Sequence, residues 1–170
     1  MFMFKKVVMV FVFGLYSMIA IQAMEGGKGG GNFNMETIGQ ERVTKVFAQS
    51  GFLIDGIGME FNNNRSEYAG GKGGDYSEMN LDPEEYIVAI QGVIGDQRGC
   101  NEVRGSRYIN CLGIVTNYRT HWFGDSYLYT SGERGRSNFQ ILAGPNKEIC
   151  GFYGKSGFVL DSIGVFRRNL

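Results

Sequence analysis

Two aspartates lie in the same local sequence near opposite ends of the chain. Asp55 follows Gly51 by four residues within residues 50–58, and Asp161 follows Gly157 by four residues within residues 156–164. An ionised carboxylate can accept hydrogen bonds from hydroxyl groups on two adjacent carbons, and each bond contributes about 1.5–3 kcal/mol before desolvation. The alternative interpretation is that each aspartate caps a turn through its own backbone, as Asp commonly does.

A second repeated segment, Gly-Gly-Lys-Gly-Gly, occurs at residues 26–30 and 70–74. Because glycine has no Cβ, a ligand can approach the backbone N–H groups of such a loop closely. The usual phosphate signatures are absent. Neither cluster completes Gly-x-Gly-x-x-Gly, and a P-loop ending at residues 154–156 would need glycine at position 149, which is isoleucine. A carboxylate beside a glycine loop therefore favours a neutral polyol as ligand.

The segment that contains Asp55 has the alternation of a β-strand, because Ile57, Met59 and Phe61 share one face. With 27 glycines and 2 prolines among 170 residues, turns are frequent. No segment requires a helix, so we predict one all-β domain, with a polar stretch up to Arg42 after the first glycine cluster and a loop over residues 125–137. The predicted strands are residues 43–48, 52–61, 86–93, 108–117, 119–123, 139–143, 148–153 and 158–166.

A third, weaker copy of the strand unit lies in the middle of the chain. Residues 109–114 align with residues 54–59, but Asn110 replaces the aspartate and Ser106 replaces the glycine four residues earlier. Three related units predict a pseudo-threefold assembly of three sheets around one core. The last aspartate segment has no glycine cluster after it, and the first cluster has no aspartate segment before it. We therefore expect the chain ends to meet, with Asp161 facing residues 26–30.

The first 23 residues have the features of a secretory signal peptide. Lys5 and Lys6 precede an apolar run, and Ala23 offers a small residue for cleavage. An uncleaved anchor is the alternative, although the run is short for a membrane span of about 20 residues. We therefore predict a secreted domain over residues 24–170, with no membrane insertion after signal removal.

Three cysteines are informative in an oxidising compartment. We expect a disulfide between Cys100 and Cys111, which would close a charged, glycine-rich excursion. The alternative is that Cys111 and Cys150, both in apolar runs, are buried thiols. Asn64 begins an Asn-Arg-Ser acceptor sequence in a polar turn, so it is the predicted glycosylation site.

Charge and ionisable residues exclude several classes of function. The full chain has zero net charge, and without Lys5 and Lys6 it has fifteen basic against seventeen acidic side chains. This balance predicts no nucleic-acid partner. His121 is the only histidine and lies in the weak third copy, while Glu84 and Glu85 lie in a turn without a matching base. We therefore predict no catalytic residues and no enzyme activity.

The order and spacing of these segments resemble the jacalin-related lectins, and in particular the mannose-binding type, over nearly all of residues 24–170. The most specific match is the last one, residues 156–165. The other matching segments are residues 26–30, 50–61, 70–75, 81–92, 115–117 and 149–154. The resemblance implies a β-prism of three four-stranded Greek-key sheets. It also implies sugar binding without a metal or another cofactor.

The resemblance further implies which residues form the first sugar site. Asp161 would accept hydrogen bonds from two sugar hydroxyls. Phe158 and Val159 would donate backbone N–H groups from the same loop, and Gly30 would donate from the facing glycine loop.

A second site of this kind occurs within the family. In this chain it would consist of Asp55, the backbone N–H groups of Phe52 and Leu53, and Gly74. The third copy departs from the family pattern at its aspartate and glycine positions, so no site is expected there.

Specificity in the family follows chain processing. Galactose-specific members are cut to leave a free glycine amine near the sugar, whereas mannose-specific members stay intact. No processing site is evident between Met24 and Gly30, so mannose- or glucose-bearing glycans are the expected partners. Two sites per chain, or a homo-oligomer, would add avidity. The alternative is a secreted protein-interaction or defence-complex module on the same fold, with sugar binding lost or secondary.

Overall fold

The all-β prediction is confirmed. The computed structural model describes residues 24–96, 106–132 and 135–170, so the predicted signal peptide and Cys100 lie outside the described residues. Within these ranges the chain forms twelve strands and one short helix. The strands are β1 (Glu25–Gly26), β2 (Gly31–Glu36), β3 (Val43–Ser50), β4 (Ile54–Phe61), β5 (Ser66–Gly70), β6 (Asp75–Asn80), β7 (Ile87–Gly95), β8 (Tyr108–Thr116), β9 (Thr120–Phe123), β10 (Ser137–Leu142), β11 (Lys147–Ser156) and β12 (Leu160–Asn169).

The same antiparallel order of four strands occurs three times. One sheet has the order β5-β4-β3-β6. A second sheet contains β9-β8-β7-β10 and β1-β12-β11-β2, and these two halves are joined through the pair Ile149 and Ile87. This pair unites two of the three predicted four-stranded units into one eight-stranded sheet.

The two ends of the chain meet in the last of these units, as predicted. β1 pairs with β12 in the register Glu25 to Ile163 and Gly26 to Ser162. β2 pairs with β11 from Gly151 and Glu36 to Ser156 and Gly31. The N-terminal glycine loop, residues 27–30, is thereby held beside the hairpin that joins β11 to β12.

The core lies between the sheets and is built by the alternating apolar residues of the strands. On β4, Ile57 and Met59 are fully buried and Phe61 is 1% exposed, so the predicted alternation is confirmed. Phe123 and Phe152 add large buried side chains from the other two strand units. Burial of each such side chain stabilises the fold by roughly 1.5–3 kcal/mol.

One expectation about a connection was wrong. Residues 125–137, expected to be loop, contain a helix, α1 (Tyr127–Ser131). The Asp125 carboxylate accepts the N–H of Tyr127 at 3.0 Å, and Gly132, at φ 60°, ends the helix in the left-handed conformation. The ring of Tyr129 packs on Trp122 with centroids 5.1 Å apart. The polar stretch that ends at Arg42, which was not assigned to a strand from the sequence, begins with the edge strand β2.

Across the described residues, the structure has no helix with the length and apolar character needed to cross a membrane.

Candidate functional site

Site 1 is the hairpin between β11 and β12 together with the glycine loop that faces it. The hairpin is closed by a hydrogen bond from the Gly157 N–H to the Val159 carbonyl at 3.0 Å. Asp161, the second residue of β12, is only 5% exposed, whereas the Phe158 side chain is 93% exposed. The hairpin therefore places a buried carboxylate beside a loop of accessible backbone.

The glycine loop of site 1 contacts both oxygens of the Asp161 carboxylate. A methyl group on Gly29 would lie 2.3 Å from Asp161 Oδ1, and one on Gly30 would lie 2.6 Å from Oδ2. Gly30 is also left-handed, at φ 70°, where an L side chain is strained. The Gly27 N–H donates to the Asp161 backbone carbonyl at 2.7 Å. The predicted residues Gly30, Phe158, Val159 and Asp161 are thus brought together.

Site 2 repeats this geometry on the four-stranded sheet. The Gly51 N–H donates to the Leu53 carbonyl at 2.9 Å, which closes the hairpin between β3 and β4. The Gly71 N–H donates to the Asp55 carbonyl at 2.8 Å, and Gly74 has φ 69°. A methyl group on Gly73 would lie 3.0 Å from Asp55 Oδ1. Asp55, Leu53 and Gly74 therefore occupy the places of their site 1 counterparts.

The two sites differ in the exposure of their side chains. Asp55 is half-buried, whereas Asp161 is almost completely buried. Burial raises the pKa of the Asp55 carboxyl above its usual value, an effect only partly offset by a hydrogen bond from its own backbone. Leu53 is buried, while the tip residue Phe52 is 94% exposed, as Phe158 is in site 1.

A cleft of about 420 Å³ lies beside site 1, and its far wall comes from the third copy of the repeat. It is lined by residues 26–29, Asp161 and residues 106–108. A methyl group on Gly27 would lie 2.0 Å from the carbonyl oxygen of Arg107, so the two loops are in tight contact. Residues 106–108 were not predicted to line the site. The predicted pseudo-threefold symmetry could have indicated them, since it sets each glycine loop beside the hairpin of another repeat.

The third copy has a buried amide where the other two hold their aspartates. Asn110 is 1% exposed, and its Oδ1 has no hydrogen-bond partner among the described residues. A methyl group on Gly95 would lie 2.8 Å from this oxygen. Asn110 therefore places an uncharged amide where the other copies have a carboxylate, and the absence of a third site stays a prediction.

The Glu84–Glu85 turn has a structural explanation. Glu85 has a fully buried side chain, and it accepts hydrogen bonds from Arg119 Nε at 2.9 Å and from Thr116 Oγ1 at 2.7 Å. The bond from Arg119 holds the pKa of Glu85 below its usual value. Burial lowers the pKa of His121, and the neighbouring charge of Arg119 lowers it further. Glu85 is therefore an ion-paired carboxylate of the fold.

The remaining predicted residues lie away from the two sites or are only partly described. Asn64 is exposed in the turn after β4, with φ 64° and its N–H bonded to the Phe61 carbonyl at 2.9 Å. Cys111 is fully buried, and burial raises the pKa of its thiol to about 11. Cys150 is also buried. The disulfide between Cys100 and Cys111 stays a prediction, because Cys100 lies outside the described residues.

Comparison with known proteins places this architecture in a family. Residues 23–166 match the family model of the jacalin-like lectin domain. The chain is 32% identical over 129 residues, 72% of its length, to jacalin-related lectin 3 of Arabidopsis thaliana, of which it spans 20%. It is 34% identical over 84 residues, 49% of its length, to a mannose/glucose-specific lectin of Parkia pendula, of which it spans 16%.

A solved structure shows the same fold. The wild-type Malaysian banana lectin is 27% identical to this chain and superposes with a TM-score of 0.68, covering 87% of this chain and 96% of the banana lectin. The family match over residues 23–166 and the superposition on this relative agree with each other. The chain belongs to the jacalin-like lectin family.

Proposed function

We propose that this lectin binds mannose- or glucose-type glycans at two sites, centred on Asp161 and Asp55. The observation that carries the proposal is the twofold occurrence of one arrangement. In each case the aspartate is partly or almost fully buried and comes two residues after the residue that closes the hairpin. It faces a glycine loop that contains a left-handed glycine, and a side chain on that glycine would clash with its neighbours. The specificity stated in the name of the Parkia pendula relative supports the choice of sugar.

The chemistry of site 1 follows from its donors and acceptors. Asp161 accepts hydrogen bonds from two neighbouring sugar hydroxyls, and its charge strengthens them. Phe158 and Val159 donate backbone N–H groups to sugar oxygens from one side, and Gly30 donates from the other. A neutral sugar needs no balancing cation in this arrangement.

Site 2 uses the equivalent groups. Asp55 accepts the hydroxyl protons, while Phe52, Leu53 and Gly74 supply the backbone N–H groups. The more exposed carboxylate retains more of its hydration, so site 2 gives up more solvation when a sugar binds. We therefore infer that site 2 is the weaker of the two.

Secretion fits this function, because glycans of this type are displayed on extracellular and secretory-pathway surfaces. Two sites on one chain would raise avidity for multivalent glycans without any additional contact. The alternative function, a protein-interaction module on the same fold, would not require the recurrence of both aspartates and both glycine loops.

Glycan-array binding of Asp161→Asn, Asp55→Asn and the double variant tests the proposal. Because Asn keeps the shape and loses the charge, we expect each single variant to keep reduced binding to mannose-bearing glycans and the double variant to lose it. Equal thermal unfolding of all forms would show that the fold is intact. If the wild-type protein bound none of the mannose- and glucose-bearing glycans on the array, the result would contradict the proposal and favour the protein-interaction function.

A further inference from the structure

The two sites touch each other through their loops. Gly71, in the glycine loop of site 2, packs against the backbone of Phe158 at the tip of the site 1 hairpin. A methyl group on Gly71 would lie 2.1 Å from the Phe158 carbonyl oxygen and 3.2 Å from its Cα. Real Cβ atoms essentially never approach another atom within 3.0 Å. The position of Phe158 therefore depends on the absence of a side chain at residue 71.

Gly71 is also fixed within its own site. Its N–H donates to the Asp55 carbonyl at 2.8 Å, and its carbonyl accepts a hydrogen bond from the Tyr68 hydroxyl. On the far side of the contact, Phe158 carries one of the N–H groups assigned above to the sugar of site 1. One residue thus connects the backbone of Asp55 to a donor of the other site.

We propose that Gly71 is a positioning residue shared by both sites. It sets the distance between the Phe158 N–H and the Asp161 carboxylate, and it transmits occupancy of site 2 to the site 1 hairpin. This inference rests on the proposed function, since it concerns how the two sugar sites act together. Coupling of this kind is a free energy between two sites, and it acts equally in both directions.

Gly27 provides a matched control. Its N–H donates to the Asp161 carbonyl at 2.7 Å, as that of Gly71 donates to Asp55, and a methyl group on it would lie 2.0 Å from the Arg107 carbonyl oxygen. Neither glycine has a positive φ, so alanine adds no left-handed strain at either position, and only the contact of its methyl group changes. The difference lies in the neighbour, because Arg107 belongs to the third copy and Phe158 belongs to site 1.

The test measures each site alone by calorimetric titration with methyl α-mannoside. The Asp55→Asn protein retains site 1, and the Asp161→Asn protein retains site 2. We expect Gly71→Ala to weaken site 1 in the first protein about tenfold, the loss of roughly one hydrogen bond. Gly27→Ala should leave site 2, to which Gly27 does not belong, unchanged in the second protein. Undiminished site 1 affinity in Gly71→Ala would overturn the inference.

A second measurement does not depend on the folding of an alanine variant. In the Asp161→Asn protein, saturating site 2 with methyl α-mannoside should shift the NMR signal of the Phe158 backbone amide and leave that of Arg107 in place. An unmoved Phe158 amide would contradict the inference. If neither single-site protein binds the sugar, the proposed function fails with it. If both bind and Phe158 does not respond, only the inference about Gly71 fails.

Discussion

Gly27 and Asp161 join the two ends of the chain, because the N–H of Gly27 donates to the Asp161 backbone carbonyl over 2.7 Å. The equivalent bond of site 2, from Gly71 to Asp55, links residues of a single repeat at 2.8 Å. Site 1 therefore exists only when the chain has closed on itself, whereas site 2 forms within one four-stranded sheet. Equivalent geometries thus depend on different parts of the fold.

The first prediction concerns Gly30→Ala. The new methyl group would lie 2.6 Å from Asp161 Oδ2 and 2.5 Å from the Ser156 carbonyl carbon, so it would occupy the contact between loop and carboxylate. In the Asp55→Asn protein, which has only site 1, we expect affinity for methyl α-mannoside to fall about a hundredfold, or about 2.7 kcal/mol. Calorimetric titration measures the change.

Gly39→Ala is the control for backbone strain in that experiment. Gly39 is also left-handed, at φ 59°, but it is exposed, and no atom of the described residues lies within 4 Å of its Cβ position. Both variants should lose about 1 kcal/mol of stability from the left-handed alanine. Gly30→Ala should lose more because of its contacts with Ser156 and Asp161, and it alone should lose sugar binding. Equal binding losses in the two variants would contradict the assignment of Gly30 to the site.

The second prediction is the pH dependence of site 2. Burial raises the pKa of Asp55 above its usual value of 3.8, and protonation removes the charged acceptor that a sugar hydroxyl needs. In the Asp161→Asn protein, acidification should lower the affinity for methyl α-mannoside, with a midpoint at a pH above 3.8. Titrations at a series of decreasing pH values locate the midpoint, and a midpoint at or below 3.8 would be inconsistent with this site.

The same pKa shift has the opposite sign for stability. The folded protein holds the Asp55 proton more tightly than the unfolded chain does, so this group favours folding increasingly as the pH falls from the raised pKa towards 3.8. Asp55 therefore weakens sugar binding and strengthens folding over the same interval. The Asp55→Asn protein should lack this contribution to its stability curve.

Most strands that could be predicted from the sequence have two or more buried apolar residues, whereas β9, which buries only Phe123, was predicted from the Asn117-Tyr118 turn that joins it to β8. β4, with Ile57, Met59 and Phe61 buried, is the clearest case. β2 and β6 escaped prediction because each buries one side chain, Met35 and Met79, and presents mostly polar residues to solvent. Their positions at sheet edges are fixed by hydrogen bonds to β11 and β3, which leave no pattern in the local sequence.

The residues of the candidate sites that recur in the sequence could be predicted, but the contacts between different repeats could not. Recurrence in sequence identified Asp55 and Asp161 and paired each with a glycine loop. It could not identify the contact between Gly71 and Phe158, because that contact depends on which repeats become neighbours around the axis. The unequal burial of the two aspartates was also hidden, since their local sequences are nearly the same.

The third prediction is that Asn110→Asp with Ser106→Gly will not create a third site. The side chain of residue 110 is 1% exposed, and residues 125–127, which follow β9, contain no glycine cluster that could offer backbone N–H groups to a sugar. In a protein that also carries Asp55→Asn and Asp161→Asn, we expect no detectable methyl α-mannoside binding and a lower unfolding temperature. If this protein bound the sugar, the result would show that only the residue types at positions 106 and 110 prevent binding at the third copy.

The last prediction tests the structural role of Glu85. Arg119→Ala removes the guanidinium that donates to Glu85 Oε1 at 2.9 Å and to Oε2 at 3.1 Å. The buried carboxylate keeps only neutral donors, the Thr116 hydroxyl and the Asp82 N–H. Because the Arg119 side chain is itself half exposed, we expect a loss of about 2 kcal/mol, less than the roughly 3–5 kcal/mol of a fully buried ion pair. Urea unfolding at neutral pH measures the loss.

The pH dependence of stability should distinguish the contribution of the Glu85–Arg119 ion pair from that of packing. The lowered pKa of Glu85 gives the wild-type protein stability that is present above the usual value of 4.5 and is lost as the pH falls through the lowered pKa. Arg119→Ala should flatten that loss, and Glu85→Gln in the Arg119→Ala protein should recover part of the stability by removing the unpaired charge. Sugar binding should persist in every variant. A variant that keeps its stability but loses sugar binding would place Glu85 or Arg119 in the binding function and not in the fold.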